Sequence, residues 1–414
     1  MRSSRDCSLA TPLPPSAGRA RQPVSRLPRV AGAAYLPPVT THDWRAEFPI
    51  LARKTYLNSC SLGALSRRAL DRIGTFHDEW HEYGASAWYE LWMGRLAELR
   101  GRVAGMLHAR EQEVALAASV SAGLASIASA IDYRARPRVI VADLDFPTLA
   151  YAFANNPQVE LVRVPSDDDF TIDPQRFADV IDDRTALIAT SHVFFTTGAI
   201  QPLRPLAELA HAHGALLLVD AYQGLGQVPL DVHADDIDIL VGGPLKWLLG
   251  GPGLAYMYVR DALIAELHPT VTGWFATRDQ FAFDIGGFAP KPDARRFELG
   301  TPALPTVHAA LGGQELIDEL GVPAIRARNA ALTDLLLARL RAAAMRVRGP
   351  ADPDERRSAI VMIENDDPGG TVARLAAQGV IVDSRPGYVR VSPHFYNSEA
   401  DIDRFLHVLR GGSA

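Results

Sequence analysis

The chain has 414 residues, of which 48% are hydrophobic and 22% charged, and its formal charge is −6. That is enough length for two or three packing units in an ordinary soluble enzyme composition, and the acidic balance leaves no basic footprint for nucleic acid. No apolar run approaches the ~18 residues of a membrane span, and two cysteines, Cys7 and Cys60, exclude a disulfide framework or cysteine-rich zinc site and fit a reducing, cytoplasmic setting.

Residues 1–40 are rich in Arg, Pro, Ser and Ala, with Asp6 the only acid and seven prolines up to Val39. Prolines at that density break any amphipathic targeting helix, so a disordered tail or an upstream start is expected there. A short capped helix is expected over His42–Pro49 and a strand entering a turn over Thr55–Ser59. Helical periodicity runs from Ser66 to Leu107 and carries Trp80, Trp88, Tyr89 and Trp92. Strands are expected at Val114–Ala117, Val139–Ala142, Leu161–Val164 and Ala186–Thr190. Helices are expected after Ser119, from Pro174 to Val180 with Asp173 as cap, and over Leu203–His213. His211 and His213 stand two apart, so they face apart as surface residues and make a poor metal pair.

Three short apolar runs follow, bounded by turns. Leu216–Val219 stops at Asp220, Ile237–Val241 stops at a glycine turn that leads to Lys246, and Leu254–Tyr258 follows Gly250-Gly251-Pro252-Gly253. Buried strands of an α/β sheet read this way, and their carboxyl ends are where such sheets bind ligands. An acid and an amine at that edge suit pyridoxal 5′-phosphate: the lysine forms a Schiff base and the Asp keeps the pyridine nitrogen protonated. Further on lie Thr272-Gly273-Trp274-Phe275, Arg295-Arg296-Phe297-Glu298-Leu299-Gly300-Thr301-Pro302 and a long helical region from Thr306. Alternation returns at Ser358–Ile363, and the chain closes with Val380 to Asn397.

Asp220-Ala221-Tyr222-Gln223, with Lys246 one βαβ step later, resembles class V of the fold-type I PLP enzymes, which include kynureninases and cysteine desulfurases. The resemblance spans about residues 41–412. It implies an α/β fold-type I architecture: a large domain with a mostly parallel seven-stranded sheet over 66–300, a smaller α+β domain over 301–414, and residues 41–65 packing with the small domain. It implies Asp220 at the pyridine nitrogen, Gln223 near the cofactor's phenolic oxygen and Lys246 as Schiff base and proton shuttle. Phe146, in Phe146-Pro147-Thr148, is implied to stack on the cofactor ring. Ser121 and the backbone N–H of Val120 are implied at the phosphate. Thr301 and Trp274 are implied to reach the neighbouring subunit's site, which makes the protein a homodimer. Arg390 is implied to hold the substrate α-carboxylate, with Arg385 as partner and Ser61 at the substrate end.

The pattern lies nearest kynureninases, with two departures. Leu245 stands where they carry a Tyr, and Asp-x-x-Gln replaces Asp-x-x-His. A persulfide-forming desulfurase needs a mobile thiol well after the lysine, and no cysteine follows Cys60. A dinucleotide or nucleotide enzyme lacks its motif: no G-x-G-x-x-G follows the first strand, and no G-K-[ST] follows the glycine run. The expectation is a PLP enzyme acting on an L-amino acid by kynureninase-like cleavage at the β-carbon, with an aminotransferase, C–S lyase or epimerase as the alternative.

Overall fold

The computed structural model describes residues 44–412. The expected tail over 1–40 lies outside them, as do His42 and Asp43. Strand β1 (Thr55–Tyr56) leads to helices α1 (Arg67–Tyr83) and α2 (Met93–Leu107). Then come β2 (Val114–Ala117), α3 (Val120–Ala130), β3 (Arg138–Ala142), α4 (Pro147–Ala154), β4 (Glu160–Val164) and α5 (Pro174–Ala178). The chain continues through β5 (Thr185–Ser191), α6 (Leu203–Ala212), β6 (Leu216–Asp220), β7 (Ile239–Gly242), β8 (Ala255–Val259) and the single turn α7 (Asp261–Ile264). After a long loop follow α8 (Leu304–Leu320), α9 (Val322–Ala342), β9 (Val361–Glu364), α10 (Pro368–Ala377), β10 (Val380–Ile381), β11 (Asp383–Arg385), β12 (Tyr388–Val391) and α11 (Glu399–Leu409).

Seven strands form one sheet in the order β2-β8-β7-β6-β5-β3-β4. Only β8 runs antiparallel to its neighbours; the other pairings are parallel. β5 and β7 are buried along their whole length, as strands covered on both faces must be. Their continuous apolar runs are the sequence signature that makes this sheet legible. The register pairs Ser191 with Asp220 and Asp220 with Val241, so Asp220 sits at the carboxyl edge of the parallel strands. A smaller antiparallel sheet of β11-β12-β9 lies in the C-terminal part, and β1 pairs with β10.

Three local expectations are corrected. The helical stretch after Ser66 is not continuous. Gly84, at φ 53, ends α1, and a five-residue π-turn over Trp88–Trp92 precedes α2. The stretch around Trp44 forms two short 3-10 turns, Trp44–Glu47 and Pro49–Ala52. His211 is not a plain surface residue: it is half-buried, and its Nε2 lies 2.7 Å from the buried Asp238 carboxylate. Among the described residues no helix is long and apolar enough to cross a membrane, and no cluster of three or more His, Cys, Asp or Glu is placed to hold a metal ion.

Candidate active site

A cleft of about 290 Å³ opens at the carboxyl edge of the large sheet. Its lining includes Val120, Ser121, Phe146, Asp220, Gln223 and Lys246, six residues drawn from four separate stretches of sequence. The strand ends bring them together, because each loop leaving the parallel strands emerges on the same edge.

Asp220 is buried, and its Oδ1 accepts the Tyr222 backbone N–H at 2.9 Å. Burial pushes its proton affinity up, while the Lys246 charge pulls it down. Its backbone is fixed too, since His192 N–H donates to the Asp220 carbonyl at 2.9 Å. That bond accounts for the Ser191-His192-Val193 segment. The His192 ring itself is buried and kept neutral, its pKa lowered to about 4 by burial. Gly224 is obligatory beside it, because a Cβ there would lie 2.3 Å from His192 Nδ1.

Lys246 lies on the turn after β7. Burial lowers its pKa to about 8, Asp220 opposes that shift, and Arg390 and Arg385 reinforce it. The turn is clamped from outside: Gly63 N–H donates to the Leu245 carbonyl at 2.9 Å, and a Cβ on Gly63 would come within 2.2 Å of the Lys246 carbonyl oxygen. From the other side, His394 Nε2 donates to the Trp247 carbonyl at 3.0 Å. Gln223 Oε1 accepts the Trp247 indole N–H at 2.8 Å, and Gln223 Nε2 donates to the Cys60 carbonyl at 2.9 Å. One amide N–H of Gln223 is left to offer.

Ser119 caps α3, its hydroxyl accepting Ala122 N–H at 3.1 Å. The backbone N–H groups of Val120 and Ser121 have no partner among the described residues, which leaves the positive end of the helix on the cleft. Pro147 opens α4 and holds Phe146 extended, at ψ 134, so that the ring stands 46% exposed at the strand edge. It meets Phe195 edge-on at 5.1 Å.

Ser61, Arg385 and Arg390 do not line this cleft; the two arginines adjoin it through Phe195, which does, and Ser66, not Ser61, caps α1. The Ser61 hydroxyl donates to Asp383 Oδ2 at 2.8 Å and accepts from Arg390 Nη2 at 2.6 Å. Arg390 is 1% exposed, and Arg385 Nη1 also donates to Asp383 Oδ2, at 2.8 Å.

Trp274 and Thr301 do not line the cleft of their own chain. Trp274 is 41% exposed and donates to the Gln280 carbonyl at 2.5 Å; Thr301 is exposed and is not the cap of α8, where Ala303 holds that position.

Sequence reasoning missed Tyr222, Asp145 and Asp383. Tyr222 is the x in the Asp-x-x-Gln motif, and its ring lies 4.6 Å from Lys246 Nζ. Asp145 lies behind Asp220. It accepts N–H bonds from Ala142 and Ser191, and burial raises its pKa to about 7. An acid directly before Phe146 was the only available signal. Asp383, two residues before Arg385, carried none.

Cofactor fit follows from these groups. An uncommitted cleft face of a buried carboxylate, an amine of lowered basicity, a free helix N-terminus and an exposed aromatic face match the ring nitrogen, aldehyde, phosphate and ring plane of pyridoxal phosphate. The sequence model of the Aminotransferase class-V family matches residues 55–405. The uncharacterized aminotransferase YcbU of Bacillus subtilis (strain 168) is 32% identical over 360 residues, covering 87% of this chain and 95% of the relative. A kynureninase of Bacillus mycoides (strain KBAB4) is 27% identical over 388 residues, covering 89% and 90%. Among solved structures, a C-DES variant with glycine covalently linked to its PLP cofactor superposes with a TM-score of 0.82 at 21% identity, covering 89% of this chain and 99% of that one. The apo cysteine desulfurase of Thermococcus onnurineus NA1 gives 0.80 at 20% identity, covering 89% and 96%. The kynureninase and the two structures resemble the chain at the level of the fold, while the match across residues 55–405 places it in a family: this protein belongs to the class-V aminotransferase family.

Proposed function

We propose that the chain acts on an L-amino acid, with Lys246 as the reactive amine, and cleaves at the substrate β-carbon in the manner of a kynureninase. The cofactor is pyridoxal 5′-phosphate, which when bound supplies an electron sink for charge developing at the substrate α-carbon. The observation that carries the reading is that Lys246 and Asp220 share one cleft, with two arginines acting electrostatically on the same amine. Lys246 would hold the cofactor through Nζ, and its amine when free would carry a proton there. Asp220 offers its carboxylate to the ring nitrogen. Ser121 and the Val120 N–H take the phosphate, Gln223 offers its remaining N–H to the phenolic oxygen, and Phe146 covers the ring. Arg390 takes the α-carboxylate, its buried Nε being a charged donor with no partner in the chain. Arg385 and Ser61 support it there.

The exposed apolar loop that carries Val271, Trp274, Phe283, Ile285 and Phe288 supports assembly as a homodimer. In this reading Trp274 and Thr301 serve the partner's cleft.

The test is incubation of the PLP-loaded protein with L-kynurenine and 3-hydroxykynurenine, following anthranilate fluorescence and alanine by mass spectrometry, with Lys246→Ala as control. Release of both products by the unaltered chain alone supports cleavage. No product, with a visible band that still responds to other amino acids, moves the reading to its alternative, an aminotransferase, C–S lyase or epimerase. The 32% identity to a protein named an aminotransferase favours the first of these. A persulfide-forming desulfurase is disfavoured because Cys60 is fully buried.

A further inference from the structure

We propose that Asp383 sets the substrate class: by neutralising one of two arginines that adjoin the cleft behind Phe195, it restricts the site to amino acids whose sole anionic group is the α-carboxylate. The inference rests on the reading above that Arg390 receives that carboxylate.

Asp383 opens β11 and is the direct cross-strand partner of Arg390 on β12. Such pairs share a sheet face, so their side chains meet by register alone. One carboxylate oxygen gathers three donors: Arg390 Nη2 at 2.7 Å, Arg385 Nη1 at 2.8 Å and the Ser61 hydroxyl at 2.8 Å. The other oxygen accepts Ser384 N–H at 2.8 Å. Burial alone would push this acid up. The bonds from Ser61 and Ser384 and the two guanidinium charges outweigh it and bring the pKa to about 2, so Asp383 is an anion at every working pH.

Two cations and one anion leave a single net positive charge. Arg390 also donates through Nη1 to the Phe195 carbonyl at 3.1 Å, and both Nη2 hydrogens go to Ser61 and Asp383. Its Nε is buried without a partner. Within Arg390 this leaves Nε and the second Nη1 hydrogen for an incoming carboxylate. Arg385 lies at the outer edge, its side chain 27% exposed beside the Phe195 ring. Freed from Asp383, it would be a ready partner for a side-chain anion. Held through Nη1 by Asp383 and the Ser384 carbonyl, its charge is already paired, and a second carboxylate meets the like charge of Asp383 with no unpaired cation to receive it. Phe195, whose carbonyl Arg390 holds and beside whose ring Arg385 lies, lines the same cleft as Lys246, so the cluster adjoins the reacting amine and its charge count bears on what binds there.

The test is calorimetric and spectral titration of the PLP-loaded enzyme with L-alanine and L-aspartate, which differ by one carboxylate. The unaltered chain is expected to bind L-alanine about tenfold or more tightly than L-aspartate, and Asp383→Asn to shrink that ratio by about tenfold by improving L-aspartate. Asp383→Asn combined with Arg385→Gln should remove the gain, because the freed cation is gone. Arg385→Gln alone, which leaves Asp383 in place, should move the ratio the other way. Equal affinities in the unaltered chain, or a ratio unmoved in Arg385→Gln and in those Asp383 variants that retain the cofactor band, would overturn the proposal and leave Asp383 a strut. Arg390→Ala separates the two readings: if neither ligand weakens there, it is the carboxylate assignment of Arg390 that fails.

Discussion

Lys246 Nζ lies 4.6 Å from the centroid of the Tyr222 ring. The ring is braced by the sheet edge, for a Cβ on Gly243 would come within 2.6 Å of Tyr222 Cε2. Kynureninases are expected to carry a tyrosine just before the lysine, and this chain has Leu245 there. Tyr222 brings a phenol back to the same amine from the neighbouring strand. A ring face stabilises an ammonium by ~0.5–1 kcal/mol. Tyr222→Leu, which keeps an apolar wall, should lower the Lys246 titration midpoint by roughly half a pH unit. Tyr222→Phe should leave the midpoint in place, and a turnover loss of about tenfold in that variant would mark the hydroxyl as a proton carrier.

The lowered Lys246 pKa has a definite sign in pH. Only the neutral amine attacks an aldehyde, and its fraction rises as pH rises through about 8, well below the range of an exposed lysine. The rate of cofactor loading into apoprotein should climb with pH and level off near that value. Asp220 favours the charged amine, so Asp220→Asn should shift the profile to lower pH. Stopped-flow absorbance across a pH series measures both, and a profile that still climbs beyond pH 10 would contradict the burial of the amine.

Arg390→Ala should weaken amino-acid binding by roughly 2–4 kcal/mol, the cost of a lost charge-assisted pair with a buried partner left behind. Arg390→Lys should recover little of it, because an ammonium cannot keep the bonds to Phe195, Ser61 and Asp383 and still offer a donor where Nε stands. Titration calorimetry on the loaded enzyme reads both values.

Gly63→Ala tests the clamp on the lysine turn. The added Cβ would meet the Lys246 carbonyl oxygen at 2.2 Å, so the backbone must shift. Cofactor affinity should fall by about tenfold or more, a modest energy on this scale. The fold should persist, because the turn packs at a cleft edge. Fluorescence titration with pyridoxal phosphate, alongside circular dichroism, distinguishes a loosened site from an unfolded chain.

Glu298 explains the acid in the Arg296-Phe297-Glu298 segment. Its Oε1 accepts Arg100 Nη2 at 2.8 Å, Arg100 Nε at 3.1 Å and Leu116 N–H at 3.0 Å, and both side chains are buried. The pair ties the loop before Thr301 to α2 and β2. Glu298→Ala strands a buried guanidinium and should cost ~3–5 kcal/mol in chemical denaturation.

The sequence by itself determined the large sheet, because strands buried on both faces must read as continuous apolar runs such as Leu216–Val219 and Ala186–Thr190. It also determined Asp220 and Lys246 as neighbours, since both leave parallel strands at the same edge. Phe146 and Ser121 were pointed to by the resemblance to class V enzymes, and the structure places both in the lining of one cleft. The sequence did not reveal the break of the helix pair at Gly84, because apolar periodicity continues across a turn that only packing selects. Tertiary structure alone decided Asp383 with Arg390 and Ser61, where one partner arrives by strand register and the other from over three hundred residues away. It alone decided Tyr222 against Lys246 as well. Residue type and spacing specify which edge a side chain reaches, but charge pairing at that edge depends on distances that close only when distant segments pack.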